Sequence, residues 1–159
     1  MVKATQGKAK RKKTLLKPRS WYTKKLSTLA KSCAKQRDGY ICQMCGKECQ
    51  GSDAHGSHVL NVGGNKNLEL DPVNIKCLCS YCHLYRWHKD ILKSAEWFKQ
   101  KFPERFTYLE ILRAKKIHFS TVELAELYDK VKSLDWRGYA KEYFALVERK
   151  EAIGALKNL

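Results

Sequence analysis

CLCSYCHLYRWH, residues 77–88, places three cysteines and two histidines within twelve positions. Cys79 and Cys82 form a C-x-x-C turn, and a matching pair, Cys42 and Cys45, stands in CQMCG with 33 residues between the two turns. A tight turn between two cysteines presents two thiolates on one side, and two such turns clamp a tetrahedral zinc ion from opposite sides. The spacing therefore predicts a structural zinc site made by Cys42, Cys45, Cys79 and Cys82. A short, turn-rich segment buries little apolar surface, so its folding is expected to depend on the ion.

Three cysteines remain of the seven in the chain. Cys33 falls on an apolar helical stripe and is expected as a buried thiol. Cys77 alternates with Cys79 along a predicted strand, which directs both side chains to one face and makes Cys77 a neighbour of the site. Cys49 receives no assignment. An odd number of cysteines in a chain without a secretory signal argues for metal ligands and free thiols over disulfides.

The charge is distributed unevenly. Residues 1–37 hold 13 of the 32 Lys and Arg and no Asp or Glu, whereas the remaining 122 residues carry 19 bases against 16 acids. An acid-free basic segment on a nearly balanced body suits a polyphosphate partner, because each neutralised phosphate releases counterions. Lys10, Arg11, Lys12, Lys13, Lys17 and Arg19 are the residues expected to meet DNA phosphates. A solubilising tail or an arm for acidic lipid is the blander reading of the same charges. No apolar run approaches the ~20 residues needed to cross a bilayer. With no apolar segment behind the N-terminal lysines either, the expectation is an intracellular, cytoplasmic protein without membrane contact.

Along the chain, a cationic arm precedes a helix on which Leu26, Leu29, Ala30 and Cys33 recur at i, i+3, i+4 and i+7. Asp38-Gly39 ends it. A short strand is expected at His58-Val59-Leu60 and a second leading from Asn74 into the later knuckle. Helical pattern resumes at about His83. Trp97, Phe98 and Phe102 make one apolar face, Pro103 restarts a helix, and Ser120 to Glu123 has the form of a capping box. Leu124, Leu127, Tyr128 and Val131, then Tyr139, Tyr143, Phe144 and Val147, mark two further helices. The expected division is a basic arm and helix (1–35), a metal-stapled core (36–92) and a helical extension (93–159), an α+β fold throughout.

RDGYICQMCG (37–46), SHVL (57–60) and NIKCLCSYCH (74–83) together resemble the HNH, or ββα-metal, endonucleases, over a little more than a third of the chain. The run from His83 to Arg105 is a softer match to phage-encoded members. The resemblance implies a ββα-metal core in which His58 is the general base, Asn74 orients the hairpin and His83 holds a catalytic Mg²⁺ or Mn²⁺. A histidine suits the first role because its ordinary pKa near ~6.5 leaves it largely neutral and basic at pH 7. Many members carry an acid or histidine just before the base, where this chain has Ser57. His55 or Asp53 is the expected replacement ligand. His55 and His58 would face opposite sides of a regular strand, so a bulge or turn at Gly56 is expected to converge them. His88 is expected as a phosphate contact or a further metal ligand.

The function implied is metal-dependent cleavage of DNA, by a monomer that nicks or a homodimer that cuts both strands. The alternatives are a non-catalytic zinc-stabilised DNA-binding module and an endonuclease specific for recombination junctions.

Overall fold

Leu26, Leu29, Ala30 and Cys33 line one side of α1 (Arg19–Arg37) in the computed structural model, which describes residues 15–63, 68–115 and 117–156. The arm residues Lys10, Arg11, Lys12 and Lys13 lie outside the described residues. Leu26, Ala30 and Cys33 are buried, as the periodicity requires. The helix ends at Asp38, after which Gly39 and Tyr40 both take positive φ, 62° and 56°. Glycine adopts that conformation freely; Tyr40 is held in it by its N–H, which donates to the Lys35 carbonyl at 2.9 Å.

Two strands, β1 (Ala54–His58) and β2 (Ile75–Cys79), pair antiparallel with Ala54 opposite Cys79 and His58 opposite Ile75. The strand expected at His58–Leu60 thus ends where it was expected to begin. Beyond His58 the backbone turns to Asn74: Val59 N–H donates to the Asn74 carbonyl at 2.7 Å and Leu60 N–H to Asn74 Oδ1 at 2.8 Å. The sequence AHGSH has little strand propensity of its own. It is extended because β2, buried along its whole length, offers it a ladder. The register runs unbroken through Gly56, so the expected bulge there is corrected. Gly56 serves another purpose: a Cβ at that position would sit 2.7 Å from Cβ of Lys31, so only glycine lets α1 lie against β1.

The start of β2 is pinned by two guanidinium groups, with Arg37 Nη2 and Arg105 Nη2 donating to the Ile75 carbonyl at 2.7 and 3.0 Å. Arg37 also pairs with Asp38 at 2.8 Å, and Asp38 accepts the Cys77 N–H at 2.8 Å. After β2 comes a π-helical turn (Cys82–Trp87), then α2 (Ile91–Lys101), α3 (Pro103–Ala114), α4 (Thr121–Val131) and α5 (Trp136–Leu156). The capping box at Ser120 and Glu123 is formed in both directions.

Two apolar clusters hold the described residues together. One joins α1 to α4 and α5 and reaches Leu70 and Ile75. The other gathers the cysteine knuckles, β2, Trp87 and the inner faces of α2 and α3 around Phe98. These cores cut across the expected segments, since the N-terminal helix packs with the C-terminal ones. The architecture is α+β, a two-stranded sheet among helices. Among the described residues no helix is long and apolar enough to cross a membrane.

Candidate metal centre and histidine groove

Each knuckle is shaped by its backbone. In the first, Gly46 closes the turn at φ 76°, its N–H donating to the Cys42 carbonyl at 2.8 Å, and Cys42 N–H donates to Lys47 at 2.8 Å. In the second, Cys82 N–H donates to Sγ of Cys79 at 3.4 Å. The four sulfur atoms of Cys42, Cys45, Cys79 and Cys82 all lie within 4.8 Å of one another, and Cys45 and Cys79 are 3.9 Å apart. A tetrahedron of sulfurs about 2.3 Å from zinc has edges of about 3.8 Å. The cluster therefore has the donors and the spacing to bind a metal such as zinc.

Burial raises the Cys42 thiol, but N–H groups of Cys79, Cys45 and Met44 directed at its sulfur outweigh that and bring it down to about 7. Cys77 is buried beside this site and pushed up to about 12, chiefly by burial, which makes it a thiol neighbour. Cys49 is a buried neighbour as well, its Sγ donating to the Lys47 carbonyl at 3.5 Å. Cys33 lies in the other core and is raised by burial to about 11.

Asp53, expected as a candidate ligand beside His83, is engaged elsewhere. Its Oδ1 accepts the N–H and hydroxyl of Ser80, and Oδ2 pairs with Lys47 at 2.9 Å. These contacts hold its carboxyl well below the usual range, with the Ser80 hydroxyl the largest influence. Asp53 fastens one knuckle to the other.

Three imidazoles form a chain. His55 Nδ1 and His83 Nδ1 are 2.8 Å apart, and His83 Nε2 and His88 Nε2 are 3.1 Å apart. The Ser52 carbonyl, 3.0 Å from His55 Nε2, can only accept, so that nitrogen carries the proton. His55 Nδ1 is then bare and accepts from His83 Nδ1–H, which leaves His83 Nε2 with its lone pair facing His88. Burial, then the neighbouring His88 and His55, lower the His83 pKa to about 4.

His58 lines the same groove as His83 and His88, a cavity of about 340 Å³ bounded also by Lys31, Gly56 and Trp87. Its Nε2 donates to the Glu69 carbonyl at 3.1 Å, which fixes the tautomer and leaves Nδ1 bare. Burial lowers its pKa; the Glu69 carbonyl opposes this, and Lys31 and Lys76 reinforce it. Asn74 is fully buried. Besides accepting from Leu60, it donates through Nδ2 to the carbonyls of Leu60 and Leu68 at 3.2 and 3.1 Å, tying down the connection between the strands. Ser57, in the position before His58, is buried, its hydroxyl 3.5 Å from the His58 carbonyl.

Sequence reasoning missed Lys76. Its ammonium is buried 3.1 Å from the centre of the Trp87 ring and 3.5 Å from the His58 carbonyl. Burial drives its pKa well below the ordinary lysine value. A lysine alternating with cysteines reads as solvent-facing, and only the Trp87 ring five residues beyond Cys82 hinted at a partner. Lys17 and Arg19 are exposed at the start of α1.

Comparison of the chain with protein-family models, with curated proteins and with solved structures finds no match.

Proposed function

We propose that the chain is a metal-dependent DNA endonuclease of the HNH kind, with His58 as general base and zinc at the four cysteines. The observation that carries this reading is the shared groove: an imidazole with a fixed, bare Nδ1 stands beside two imidazoles whose Nε2 atoms are 3.1 Å apart. That separation suits two adjacent ligands of one ion, which at about 2.1 Å per bond lie about 3 Å apart. His83 and His88 are therefore the proposed ligands. His55, expected as a ligand, instead accepts the proton on the far nitrogen of His83 and so orients that ring, as outer partners of metal-bound histidines do. When bound there, a divalent cation supplies positive charge over the oxygen that leaves phosphorus.

The chain's own part follows from the His58 tautomer. Nδ1 takes a proton from a water; the water oxygen forms a bond to phosphorus as the bond to the 3′-oxygen breaks. The departing oxygen takes a proton from solvent, giving 5′-phosphate and 3′-hydroxyl ends. Glu69 holds the imidazole through Nε2, and Asn74 holds the loop that carries Glu69 and Leu68. One such groove per chain nicks one strand; two chains cut both.

Of the Mg²⁺ or Mn²⁺ first expected, imidazole donors without a carboxylate favour Mn²⁺, and they favour Ni²⁺ more strongly still. The test is nicking of supercoiled plasmid by zinc-loaded protein with and without added divalent ions. Ion-dependent nicking is expected, strongest with nitrogen-preferring ions and lost in His58→Ala. Absence of nicking with every ion sinks the hydrolytic reading.

The second reading is a zinc-stapled DNA-binding module without catalysis. The buried Ser57 favours it, because the residue before the base contributes no ligand.

A further inference from the structure

The groove that holds His58 does not end at Lys31. Lys31 also borders a larger groove of about 1050 Å³ that runs along α1 as far as Arg19. Positions 20, 24, 27 and 31 recur every three or four residues, so they share one helix face. Ser20, Lys24, Ser27 and Lys31 thus form a hydroxyl-and-ammonium stripe, and Arg19 stands at its far end. From Arg19 to Lys31 the helix rises roughly 18 Å, about the axial length of five base pairs.

The charge of this face is uncompensated. All 16 acids of the chain fall among the described residues, yet no ion pair found there involves Arg19, Lys24 or Lys31. Glu69 is the one carboxylate on the groove wall. The basic arm, with six Lys and Arg in residues 1–14, joins the helix at the Arg19 end. At the other end, the contact of Lys31 with Gly56 seats the stripe directly against β1, two residues before His58, which lines the same groove as Lys31.

We propose that this face of α1 is the track on which the phosphodiester backbone of duplex DNA is laid, leading from the arm past Lys24 and Lys31 to the histidine groove. This deepens the endonuclease reading and rests on it for direction: Lys31 contacts a phosphate next to the one cut, and Arg19 one further away. Mixed hydroxyl and ammonium donors at helical spacing read phosphate and sugar, so the track confers position on DNA without base preference.

The test is binding of a fluorescent 30-base-pair duplex by the full-length, zinc-loaded protein, without added divalent ion, across a salt series. Each phosphate contact removed lowers the slope of log affinity against log salt by about 0.9, so R19Q/K24Q/K31Q should flatten it by about 2 to 3 and weaken binding roughly 10- to 100-fold at 0.1 M salt. Ser27→Glu, which removes no packing contact of the core, should weaken binding in the same direction. Arg137→Gln with Lys141→Gln, exposed positions on α5, serve as the charge control.

Track variants whose slope equals that of the control overturn the proposal. So does a loss of binding to phosphatidylserine vesicles with DNA binding unchanged, which would make the face a lipid surface. The two readings fail separately. Wild-type nicking with unaltered binding by the variants removes the track and leaves the enzyme. Weakened binding by the variants with no nicking under any ion removes the enzyme and leaves the track.

Discussion

Asn74 exposes no surface, and its amide satisfies one N–H and two carbonyls of the connection between the strands. Replacing it with alanine orphans those groups inside the protein, at a cost of about 2–3 kcal/mol. The Asn74→Ala midpoint in urea should fall accordingly, with zinc content unchanged. His58 calls for a different measurement. As the proposed base it acts in its neutral form, and burial lowers its pKa, so less alkaline solution suffices to deprotonate it. The acid limb of the nicking rate against pH should therefore lie below the ~6.5 of a free imidazole, and a limb above that value contradicts His58 as the base. Both residues stood out in the sequence from their order between the knuckles. Lys76 did not, because nothing in a strand pattern distinguishes a lysine facing solvent from one facing a tryptophan.

At the scale of elements, the π-helical turn from Cys82 to Trp87 decides what the histidines do. Five residues of α-helix rotate by about 500°, which leaves His83 and His88 on different faces, whereas the i to i+5 bonding of a π-turn stacks them. That is why periodicity in the sequence undervalued His88 while the structure sets it 3.1 Å from His83. Wide turns of this kind are not written in any residue pattern; here Trp87, buried against Phe98 and Lys76, fixes the end of the turn. The roles assigned to the flanking histidines separate in a titration with Mn²⁺ followed by its electron spin resonance signal. His88→Ala should abolish binding at the groove, and His55→Ala should weaken it by roughly 10-fold, as loss of an outer partner does. Equal effects, or a greater one at His55, would move the ion to the other side of His83. β1 offers a second element-scale check. Gly56→Ala forces α1 away from the sheet and should destabilise the protein by about 1–3 kcal/mol, read from its thermal midpoint.

For the whole molecule, the two cores make distinct demands. The cluster of α1, α4 and α5 is built from Tyr, Leu and Val and needs no ion. The cluster around Phe98 includes three of the four knuckle cysteines, Cys42, Cys79 and Cys82. Removing the proposed zinc with a strong chelator, or substituting Cys79→Ser, should release hydrogen-exchange protection in residues 38–63 and 68–115 and spare α1, α4 and α5. Simultaneous loss in both would show that the cores are one cooperative unit. The helices and the cysteine set were legible because each obeys a short-range rule: a period, a cap or a knuckle. Their assembly was not, since Arg105 reaching Ile75 and Tyr139 reaching Leu70 at 2.9 Å are pairings between distant segments.

That α1 packs on α4 and α5 as well as on the sheet also bears on how the chain comes off the ribosome. The first helix is synthesised more than eighty residues before the helices that cover its apolar side. Meanwhile the cysteine-bearing segment can capture its ion and fold. A nascent chain thus has the sheet and the cysteine segment complete while the side of α1 turned to α4 and α5 is still uncovered, and that side is closed only when translation has delivered α5.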